Sequence, residues 1–301
     1  MILGIDIGGT NIKFGVIADD YSILKSHSIP TGSHRAAEDI VRDIIAAAKA
    51  LKADYDFDCI GIGSPGDIDG EAGICNRAGN LPYDKTPVGP MVSEALGLPV
   101  RLANDATAAL YGELYAGAGK DRQNIIMITL GTGVGGGIAI DGKPYFGSQG
   151  FGGELGHMII KYDGLPCPCG MTGCYEQYAS VTALVRQIKS AVAQHPDSIL
   201  SQRFAADPSA RALFDAKAAH CPVADAVLEQ YTEYIAIGLN SYECIFQPEL
   251  FILGGAISSQ GENLLEPIRT KLRKPTPLVT SHLKNDAGII GAAVVAKVFL
   301  K

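Results

Sequence analysis

The stretch Ile2-Leu-Gly-Ile-Asp-Ile-Gly-Gly-Thr10 decides the fold, together with the apolar residues at 12–17 that follow it. Both parts are rich in β-branched residues, and the Gly-Gly-Thr sequence between them is typical of a tight turn, so the pattern predicts a β-hairpin. A second hairpin is predicted from a strand at 124–130, the glycine turn Gly131-Thr-Gly-Val-Gly-Gly-Gly137 and a return strand at 138–140. The two hairpins indicate a weak internal repeat of supersecondary structure.

The rest of the pattern predicts an α/β protein. Apolar residues at helical spacing predict a helix at 36–52, and short apolar runs predict buried strands at 59–63 and 100–103. The second of these strands leads into a predicted helix at 106–116. Residues after 180 are predicted to be mostly helical, apart from a buried strand in Leu250-Phe-Ile-Leu-Gly-Gly255. Helix boundaries are expected at Pro196, Pro208 and Pro222.

A chain of 301 residues is long enough for two modest domains. No low-complexity linker separates its halves, which favours two domains that close on one cleft. The predicted division places residues 1–116, completed by a C-terminal helix at 286–301, in a small α/β domain. Residues 117–285 form a larger α/β domain that contains the candidate zinc site.

Composition limits the classes of partner and compartment. A net charge of -7 argues against a nucleic-acid backbone as the main partner. No apolar run approaches the roughly 20 residues that a membrane helix needs, and the N-terminus is too soon charged for a signal peptide. Seven cysteines, an odd number, fit a reducing compartment better than a disulfide framework. We therefore expect a cytoplasmic protein that binds neither nucleic acid nor membrane.

Three glycine turns indicate phosphate binding. They are Gly8-Gly9-Thr10, the turn at 131–135 and Gly254-Gly255. Glycine lets backbone N–H groups approach phosphate oxygens, although hairpins need glycine for their own geometry as well. None of the turns has the Walker spacing or the dinucleotide fingerprint. Asp6 lies beside the first turn, where its carboxylate is placed either to hold hydrated Mg²⁺ or to cap the turn.

A cluster of thiols and one imidazole predicts a metal site. Cys167, Cys169 and Cys174, with His157 ten residues upstream of the first, offer four ligands suited to tetrahedral zinc. A redox-active Cys-x-Cys pair is the alternative. Glu154 and Glu176 flank the cluster and are not needed for zinc. Carboxylates accept hydrogen bonds from neighbouring sugar hydroxyls, whereas the ordinary role of glutamate is that of an exposed surface charge.

Taken together, these motifs resemble the ROK family (repressors, open reading frames and sugar kinases). The resemblance covers nearly the whole chain and rests on five strings in the family's order: Asp6-Ile-Gly-Gly-Thr10, Leu130-Gly-Thr-Gly-Val-Gly-Gly-Gly137, Glu154-Leu-Gly-His157, Cys167-Pro-Cys-Gly-Met-Thr-Gly-Cys174-Tyr-Glu176 and Leu253-Gly-Gly255. It implies an actin/hexokinase-like (ribonuclease H-like) two-domain ATPase fold with a cleft between the domains. It also implies ATP with Mg²⁺ as phosphoryl donor, a structural Zn²⁺ beside a sugar pocket, and a homodimer.

The resemblance assigns roles to individual residues. Asp105, after a buried strand and at the start of a helix, matches the family's catalytic base, whereas its position alone fits a helix N-cap equally well. The residues expected to bind the sugar are Ser64, Gly66, Asn80, Asn104, Asp105, Glu154, His157 and Glu176. Those expected to bind ATP are Asp6, Gly8, Gly9, Thr10, Lys13, Gly131, Thr132, Gly133, Gly135, Gly254 and Gly255. The expected zinc ligands are His157, Cys167, Cys169 and Cys174.

The expected activity is ATP-dependent phosphorylation of a hexose, with glucose converted to glucose 6-phosphate. N-acetylmannosamine, another hexose or a β-glucoside is the alternative substrate. A sugar sensor that does not bind DNA is the alternative of a different class, because the first strand begins at Ile2 and leaves no room for a helix-turn-helix segment ahead of it. A cytoskeletal or chaperone ATPase of the same superfold does not account for the predicted zinc pocket with its two glutamates.

Overall fold

The structure is a computed structural model that describes residues 1–148 and 152–300. The described residues form two compact units. The first consists of Met1–Gln123, Gly137–Gly153 and Ser281–Lys301, and the second of Asn124–Gly136 and Glu154–Thr280. The predicted small domain had comprised 1–116 and 286–301.

The described residues form runs of strands separated by helices, and then a run of five helices from α4 to α8. The strands are β1 (Ile2–Ile7), β2 (Asn11–Ile17), β3 (Ile23–Pro30), β4 (Cys59–Ser64), β5 (Asp67–Asp69), β6 (Ile74–Arg77), β7 (Asp84–Thr86), β8 (Val100–Asn104), β9 (Ile125–Leu130), β10 (Val134–Ile140), β11 (Lys143–Pro144), β12 (Leu250–Gly254) and β13 (Leu278–Thr280). The α-helices are α1 (Ala37–Asp54), α2 (Val88–Leu96), α3 (Asp105–Ala116), α4 (Glu176–Ala179), α5 (Val181–Gln194), α6 (Ile199–Ala206), α7 (Arg211–Ala218), α8 (Pro222–Phe246), α9 (Glu262–Arg269) and α10 (Ala287–Leu300).

The first unit is built on a mixed sheet with the strand order β3-β2-β1-β4-β8. The strand β2 runs antiparallel to both β3 and β1, whereas β1, β4 and β8 are parallel. Because side chains alternate between the two faces of a strand, Leu3, Ile5 and Ile7 pack in one core with α1 and α2. Ile2 and Ile17 pack in another core with residues of α10. The opening hairpin is therefore confirmed, with one core on each face.

Glycines on the first sheet allow α10 to lie unusually close to it. A Cβ atom added to Gly61 would overlap the carbonyl oxygen of Ala292, and one added to Gly4 would lie 2.9 Å from the carbonyl carbon of Ile289. Residues at even positions of β1 face this helix, so Asp6 lies on the same face as Gly4. The close packing of α10 is what places the start of that helix against Asp6.

The second unit carries most of the helices. Its strands β9, β12 and β13 are parallel, and the sheet to which they belong has the order β11-β10-β9-β12-β13. The longest helix, α8, begins at Pro222, while Pro196 and Pro208 lie in the connections between α5, α6 and α7. The three proline boundaries are therefore confirmed, as is the predicted strand at 250–254. The strand β13 was not predicted, because its three residues are too short for a periodic pattern.

One predicted boundary in the second hairpin is wrong. The return strand begins at Val134 and not at residue 138. Gly135, Gly136 and Gly137 consequently belong to β10, and the turn is limited to Gly131, Thr132 and Gly133. The glycines of the strand have a packing reason, since a Cβ atom on Gly136 would lie 2.6 Å from the Leu155 side chain.

Among residues 1–148 and 152–300, no helix combines the length and the apolar character that crossing a membrane requires.

Candidate functional site

In the first unit, Asp6 and Asp105 are two buried carboxylates close enough to influence each other's charge. The pKa of Asp6 is raised to about 6, mainly by burial. The nearby Asp105 carboxylate also raises it, and the charge of Lys13 lowers it. Burial also raises the pKa of Asp105. A Cβ atom on Gly288, at the start of α10, would lie 2.5 Å from Cγ of Asp6, so only glycine leaves room for the carboxylate there.

Asn104 caps helix α3 and leaves Asp105 free of that task. The side-chain oxygen of Asn104 accepts hydrogen bonds from the backbone N–H groups of Ala106 (3.0 Å) and Thr107 (3.3 Å). The interpretation of Asp105 as the N-cap is therefore wrong: Asp105 is the first residue of the helix, and its Oδ1 accepts from the adjacent Ala106 N–H at 2.8 Å. Asp105 is a buried carboxylate with capacity left for a substrate proton.

The amide nitrogen of Asn104 fixes the neighbouring loop. Its Nδ2 donates to the carbonyl oxygen of Gly66 at 3.1 Å. Gly66 has φ of 106°, and a Cβ atom there would overlap the carbonyl oxygen of Arg77, so this position requires glycine. The structure thus brings together Asn104 and Gly66, two of the residues expected to bind the sugar, and one N–H of the Asn104 amide remains for a ligand. Ser64 is fully buried, and its hydroxyl donates to the carbonyl oxygen of Pro65 at 3.3 Å.

The turn at Gly8–Thr10 is held by a residue that the sequence analysis missed. The hydroxyl of buried Thr31 donates to the carbonyl oxygen of Gly8 at 2.6 Å, and the Thr31 N–H donates to that of Thr10 at 2.9 Å. A Cβ atom on Gly9 would lie 3.2 Å from Nδ2 of Asn80. The predicted sugar-binding Asn80 and the predicted phosphate turn are therefore neighbours.

Lys13 is tied to the segment that precedes α10. Its Nζ donates to the carbonyl oxygen of Asn285 at 3.0 Å. Its charge also lowers the pKa of Asp6, although by less than burial and Asp105 raise it. The charge of Lys13 thus partly offsets the negative charge of the Asp6 carboxylate. Its predicted role toward ATP is a separate one.

In the second unit, the four predicted metal ligands converge. One ligand atom from each of His157, Cys167, Cys169 and Cys174 lies within 4.8 Å of the others. The Sγ atoms of Cys169 and Cys174 are 3.6 Å apart, and Sγ of Cys167 is 3.8 Å from Nδ1 of His157. Zinc–sulfur bonds of about 2.3 Å at tetrahedral angles place sulfur atoms about 3.8 Å apart. The donor set and its spacing therefore fit zinc.

The loop that carries the cysteines has the backbone geometry of a metal knuckle. The Cys167 N–H donates to the carbonyl oxygen of Met171 at 2.8 Å, and the Gly170 N–H donates to that of Cys167 at 2.9 Å. Gly170 and Gly173 have φ of 93° and 81°. Burial raises the pKa of the Cys174 thiol to about 12. This raised pKa means that ionising the Cys174 thiol costs free energy in the folded protein. A bound cation favours the deprotonated form of a coordinating thiol and so offsets that cost.

His157 belongs to a short 3-10 helix, Leu155–His157, for which Glu154 is the preceding residue. Tyr242 anchors this turn through a hydrogen bond of 2.6 Å from its hydroxyl to the carbonyl oxygen of Leu155. A Cβ atom on Gly156 would overlap the carbonyl oxygen of Val134, so the turn lies directly against β10. This contact places Glu154 and His157 beside the second glycine hairpin.

Glu176 also reaches that hairpin. Its Oε2 accepts a hydrogen bond from the backbone N–H of Val134 at 2.9 Å. The interpretation of Glu176 as an ordinary solvated surface charge is therefore wrong. On the other side of β9, Gly255 has φ of 85°, and a Cβ atom there would overlap the carbonyl oxygen of Leu130. Gly255 is needed for the chain to turn away at the end of β12.

An open cavity of about 640 Å³ adjoins the second glycine turn. The sequence analysis missed its wall, which comes from the first three turns of α5 and from the residue after Gly255. Carbon atoms make up most of the lining surface, and two cations lie on α5. The lining residues are Gly131, Thr132, Val181, Thr182, Val185, Arg186, Lys189 and Ala256. A cavity with an apolar wall next to backbone N–H groups and cations suits a nucleotide.

The chain was compared with known proteins. The family model described as the ROK family matches residues 2–298, which is nearly the entire chain. The chain belongs to the ROK family.

Relatives within the ROK family include enzymes and regulators. A glucokinase of Streptomyces coelicolor is 35% identical over 311 aligned residues, which cover 99% of this chain and 98% of that protein. A xylose repressor of Caldicellulosiruptor bescii is 30% identical, over 96% of this chain and 76% of the repressor. The crystal structure of a ROK family glucokinase from Streptomyces griseus with glucose and AMPPNP is 34% identical, with a TM-score of 0.85 over 98% of this chain and 99% of that one. The predicted ROK resemblance and two-domain α/β fold class are confirmed.

The structure of this ROK protein predicts how Asp6 affects stability. Raising the pKa of a carboxyl from 3.8 to about 6 costs the folded state about 3 kcal/mol when the group is ionised, at 1.36 kcal/mol per pKa unit. The cost is absent below the unfolded pKa and is complete above pH of about 6. Asp6→Asn should therefore stabilise the protein by up to about 3 kcal/mol at neutral pH.

Urea unfolding at a series of pH values without added Mg²⁺ measures this effect. The gain from Asp6→Asn should grow between pH of about 4 and 6 and then level off. Asp56→Asn, at an exposed aspartate, is the control and should show no such gain. A constant difference across the series would mean that Asp6 does not titrate in this range.

The knuckle geometry predicts that zinc binding depends on Cys169. In Cys169→Ser, the loss of one thiolate should reduce the bound zinc, measured by inductively coupled plasma mass spectrometry, and should lower the thermal midpoint of unfolding. Cys244→Ser is the control, because Cys244 lies outside the cluster. Retention of full zinc stoichiometry in Cys169→Ser would reject this ligand set.

Proposed function

We propose that this protein is an ATP-dependent hexose kinase that converts glucose to glucose 6-phosphate. The observation that carries the proposal is the buried Asp105 carboxylate at the start of α3, which Asn104 relieves of the capping role. The relationship to the Streptomyces coelicolor glucokinase over nearly the full length of both chains supports the same reaction.

Asp105 has the properties of a general base for this reaction. Phosphoryl transfer needs an aligned acceptor hydroxyl, stabilisation of charge on the phosphoryl oxygens and a group that accepts the hydroxyl proton. Burial raises the pKa of Asp105 and so increases the affinity of its carboxylate for that proton. A fixed geometry of the hydroxyl, the carboxylate and the phosphoryl group supplies a further part of the rate acceleration.

We propose that the hexose is bound by Asn80, Asn104, Glu154, His157 and Glu176, with Ser64 and Gly66 shaping the loop beside Asn104. Carboxylates and amides suit this task because each pairs with neighbouring hydroxyls. The support from geometry is that Asn80 lies over the first glycine turn, and that Asn104 holds Gly66. His157 would serve the sugar while its other nitrogen ligates zinc.

ATP would be held by residues of both glycine hairpins. Gly8, Gly9 and Thr10 form one turn, and Gly131, Thr132 and Gly133 form the other, with the cavity along α5 and Ala256 for the nucleoside. Gly135, Gly254 and Gly255 lie in or beside the strands that support this cavity. Asp6 would hold Mg²⁺, which when bound neutralises charge on the phosphates, and Lys13 would face the phosphates themselves. His157, Cys167, Cys169 and Cys174 would hold Zn²⁺, which orders the loop that carries Glu176.

A sugar-responsive sensor is the second candidate function. The xylose repressor of Caldicellulosiruptor bescii, 30% identical to this chain, is the observation that favours it. A sensor of this kind would bind a sugar without phosphorylating it. Within the kinase class, N-acetylmannosamine, other hexoses and β-glucosides remain the alternative acceptors. We further propose a cytoplasmic protein without a nucleic-acid partner, on the basis of the net charge and the odd number of cysteines. The proposal of a homodimer rests on the resemblance to the ROK family alone.

The proposed function predicts that a sugar acceptor stimulates the release of ADP from ATP. ADP release is measured with ATP and Mg²⁺ over a panel of sugars. The sugars are compared by kcat/KM, because specificity is a difference in transition-state binding. We expect the highest kcat/KM for glucose. A sensor would bind a sugar in calorimetry yet release no ADP in excess of the sugar-free rate. Preference for N-acetylmannosamine or a β-glucoside would keep the kinase and change its substrate.

The role of Asp105 is tested by Asp105→Asn, which preserves shape and removes the proton acceptor. We expect kcat to fall by about 100- to 10,000-fold, the usual contribution of a general base. The glucose dissociation constant should change little, because the other hexose ligands remain. Asp215→Asn, at an exposed aspartate of α7, should leave kcat unchanged. Nearly full turnover in Asp105→Asn would remove Asp105 from the base role.

A further inference from the structure

Three hydrogen bonds hold the glycine turn at 131–133, and all three come from one continuous segment. The Val181 N–H donates to the carbonyl oxygen of Gly131 at 2.8 Å. The Thr182 hydroxyl donates to that of Thr132 at 2.7 Å. The Glu176 carboxylate accepts from the Val134 N–H, which ends the turn, at 2.9 Å. Residues 176–182, which we call the brace, therefore fix both ends of the turn and its middle.

Gly133 shows that the carboxylate is packed against the turn as well as bonded to it. A Cβ atom on Gly133 would overlap Oε2 of Glu176. Gly131, in the same turn, has open space where its Cβ atom would lie. Contact with the Glu176 carboxylate thus explains why residue 133 is a glycine. This reason differs from the one expected from the sequence, which was the close approach of a phosphate.

The brace itself is firmly seated in the second unit. Tyr175, next to Glu176, is fully buried, and its hydroxyl donates to the carbonyl oxygen of Ile235 at 3.1 Å. A Cβ atom on Gly238 of α8 would lie 2.5 Å from the Tyr175 ring, so α8 closes tightly on it. The Tyr175 N–H donates to the carbonyl oxygen of Met158 at 2.8 Å. The main chain at Glu176 is therefore held on both sides, and its carboxylate is delivered to a defined place.

We propose that Glu176 is a positioning residue for the nucleotide turn in addition to a ligand of the hexose, so that one carboxylate couples the binding of the two substrates. The inference rests on the proposed function for both the hexose and the nucleotide. A carboxylate has about four acceptor sites, so the bond to Val134 leaves capacity for sugar hydroxyls. A hexose would hold the Glu176 carboxylate in one orientation. Because the Val134 N–H is hydrogen-bonded to that carboxylate, the hexose would also hold the end of the glycine turn in place.

Coupling of this kind is reciprocal. If glucose raises the affinity for a nucleotide by some factor, the nucleotide must raise the affinity for glucose by the same factor. The brace supplies the physical link, because the carboxylate that meets the sugar and the backbone group that ends the turn are in direct contact. Glu176 differs in this respect from a ligand that touches the sugar alone.

The sugar-free arm of the test measures the affinity for AMPPNP with Mg²⁺ by calorimetry, without any sugar present. Glu176→Ala should weaken it by about 10-fold or more, because a charge-assisted hydrogen bond to the turn is lost. Glu176→Gln keeps an acceptor oxygen for the Val134 N–H and should restore most of the affinity. Wild-type affinity in Glu176→Ala would overturn the inference, since a residue that binds only the hexose has no effect in the absence of sugar.

The nucleotide-free arm measures glucose affinity in one variant of the turn and in one control variant outside it. Gly133→Ala displaces the end of a flexible side chain and not the backbone, so the protein should fold while the Glu176 carboxylate moves. We expect its glucose affinity to fall by about 10-fold. Asp215→Asn, at the exposed aspartate of α7, is the control, and its glucose affinity should equal that of the wild type. Equal glucose affinity in both variants would overturn the coupling.

The two arms separate failure of this inference from failure of the proposed function. If the wild type neither binds glucose nor releases ADP with it, the proposed function fails, and the sugar-free arm still decides whether Glu176 positions the turn. If the wild type phosphorylates glucose and Glu176→Ala binds AMPPNP normally without sugar, the function stands and the inference fails. Should Glu176→Ala not fold, Gly133→Ala decides alone.

Discussion

The close approach of α10 to the first sheet is the constraint on which the first unit depends. It is possible only because Gly61 and Gly4 present no side chain to the backbone of the helix at Ala292 and Ile289. The same approach brings Gly288 against the Asp6 carboxylate and buries it, and this burial is the main cause of the raised pKa of Asp6. Ionisation of this carboxylate therefore costs free energy in the folded protein, and a bound cation would offset that cost.

The second unit concentrates several tasks in a short segment. Cys174 belongs to the metal cluster, Tyr175 anchors the chain in the core, and Glu176 and Thr182 hold the glycine turn. Because these residues are consecutive or nearly so, a shift in one is transmitted to the others through a few covalent bonds. Zinc in this arrangement would act at a distance from the chemistry, by ordering the segment that supports the turn.

Much of the fold followed from local patterns, and the errors occurred where a pattern had two explanations. The glycines at 131–137 were all assigned to a turn, yet only Gly131 and Gly133 lie in it. Gly136 belongs to β10, where a side chain would collide with Leu155. Asp105 and Asn104 are both good N-cap residues, and only the hydrogen bonds to Ala106 and Thr107 show which of them caps α3. Thr31 and the wall of α5 carried no recognisable signal, because threonine, valine and lysine are common in any helix or loop.

The sequence by itself determined the strand–turn–strand units, the four metal-ligand candidates and the family resemblance, because each depends on spacing within a short stretch of chain. Tertiary structure alone decided how those stretches are used. It placed Glu176 on the Val134 N–H, which lies 42 positions earlier in the chain, and Gly288 on Asp6. Such contacts join segments that are distant along the chain, and their partners are chosen by the packing of whole helices and sheets. No local pattern of residues encodes that choice.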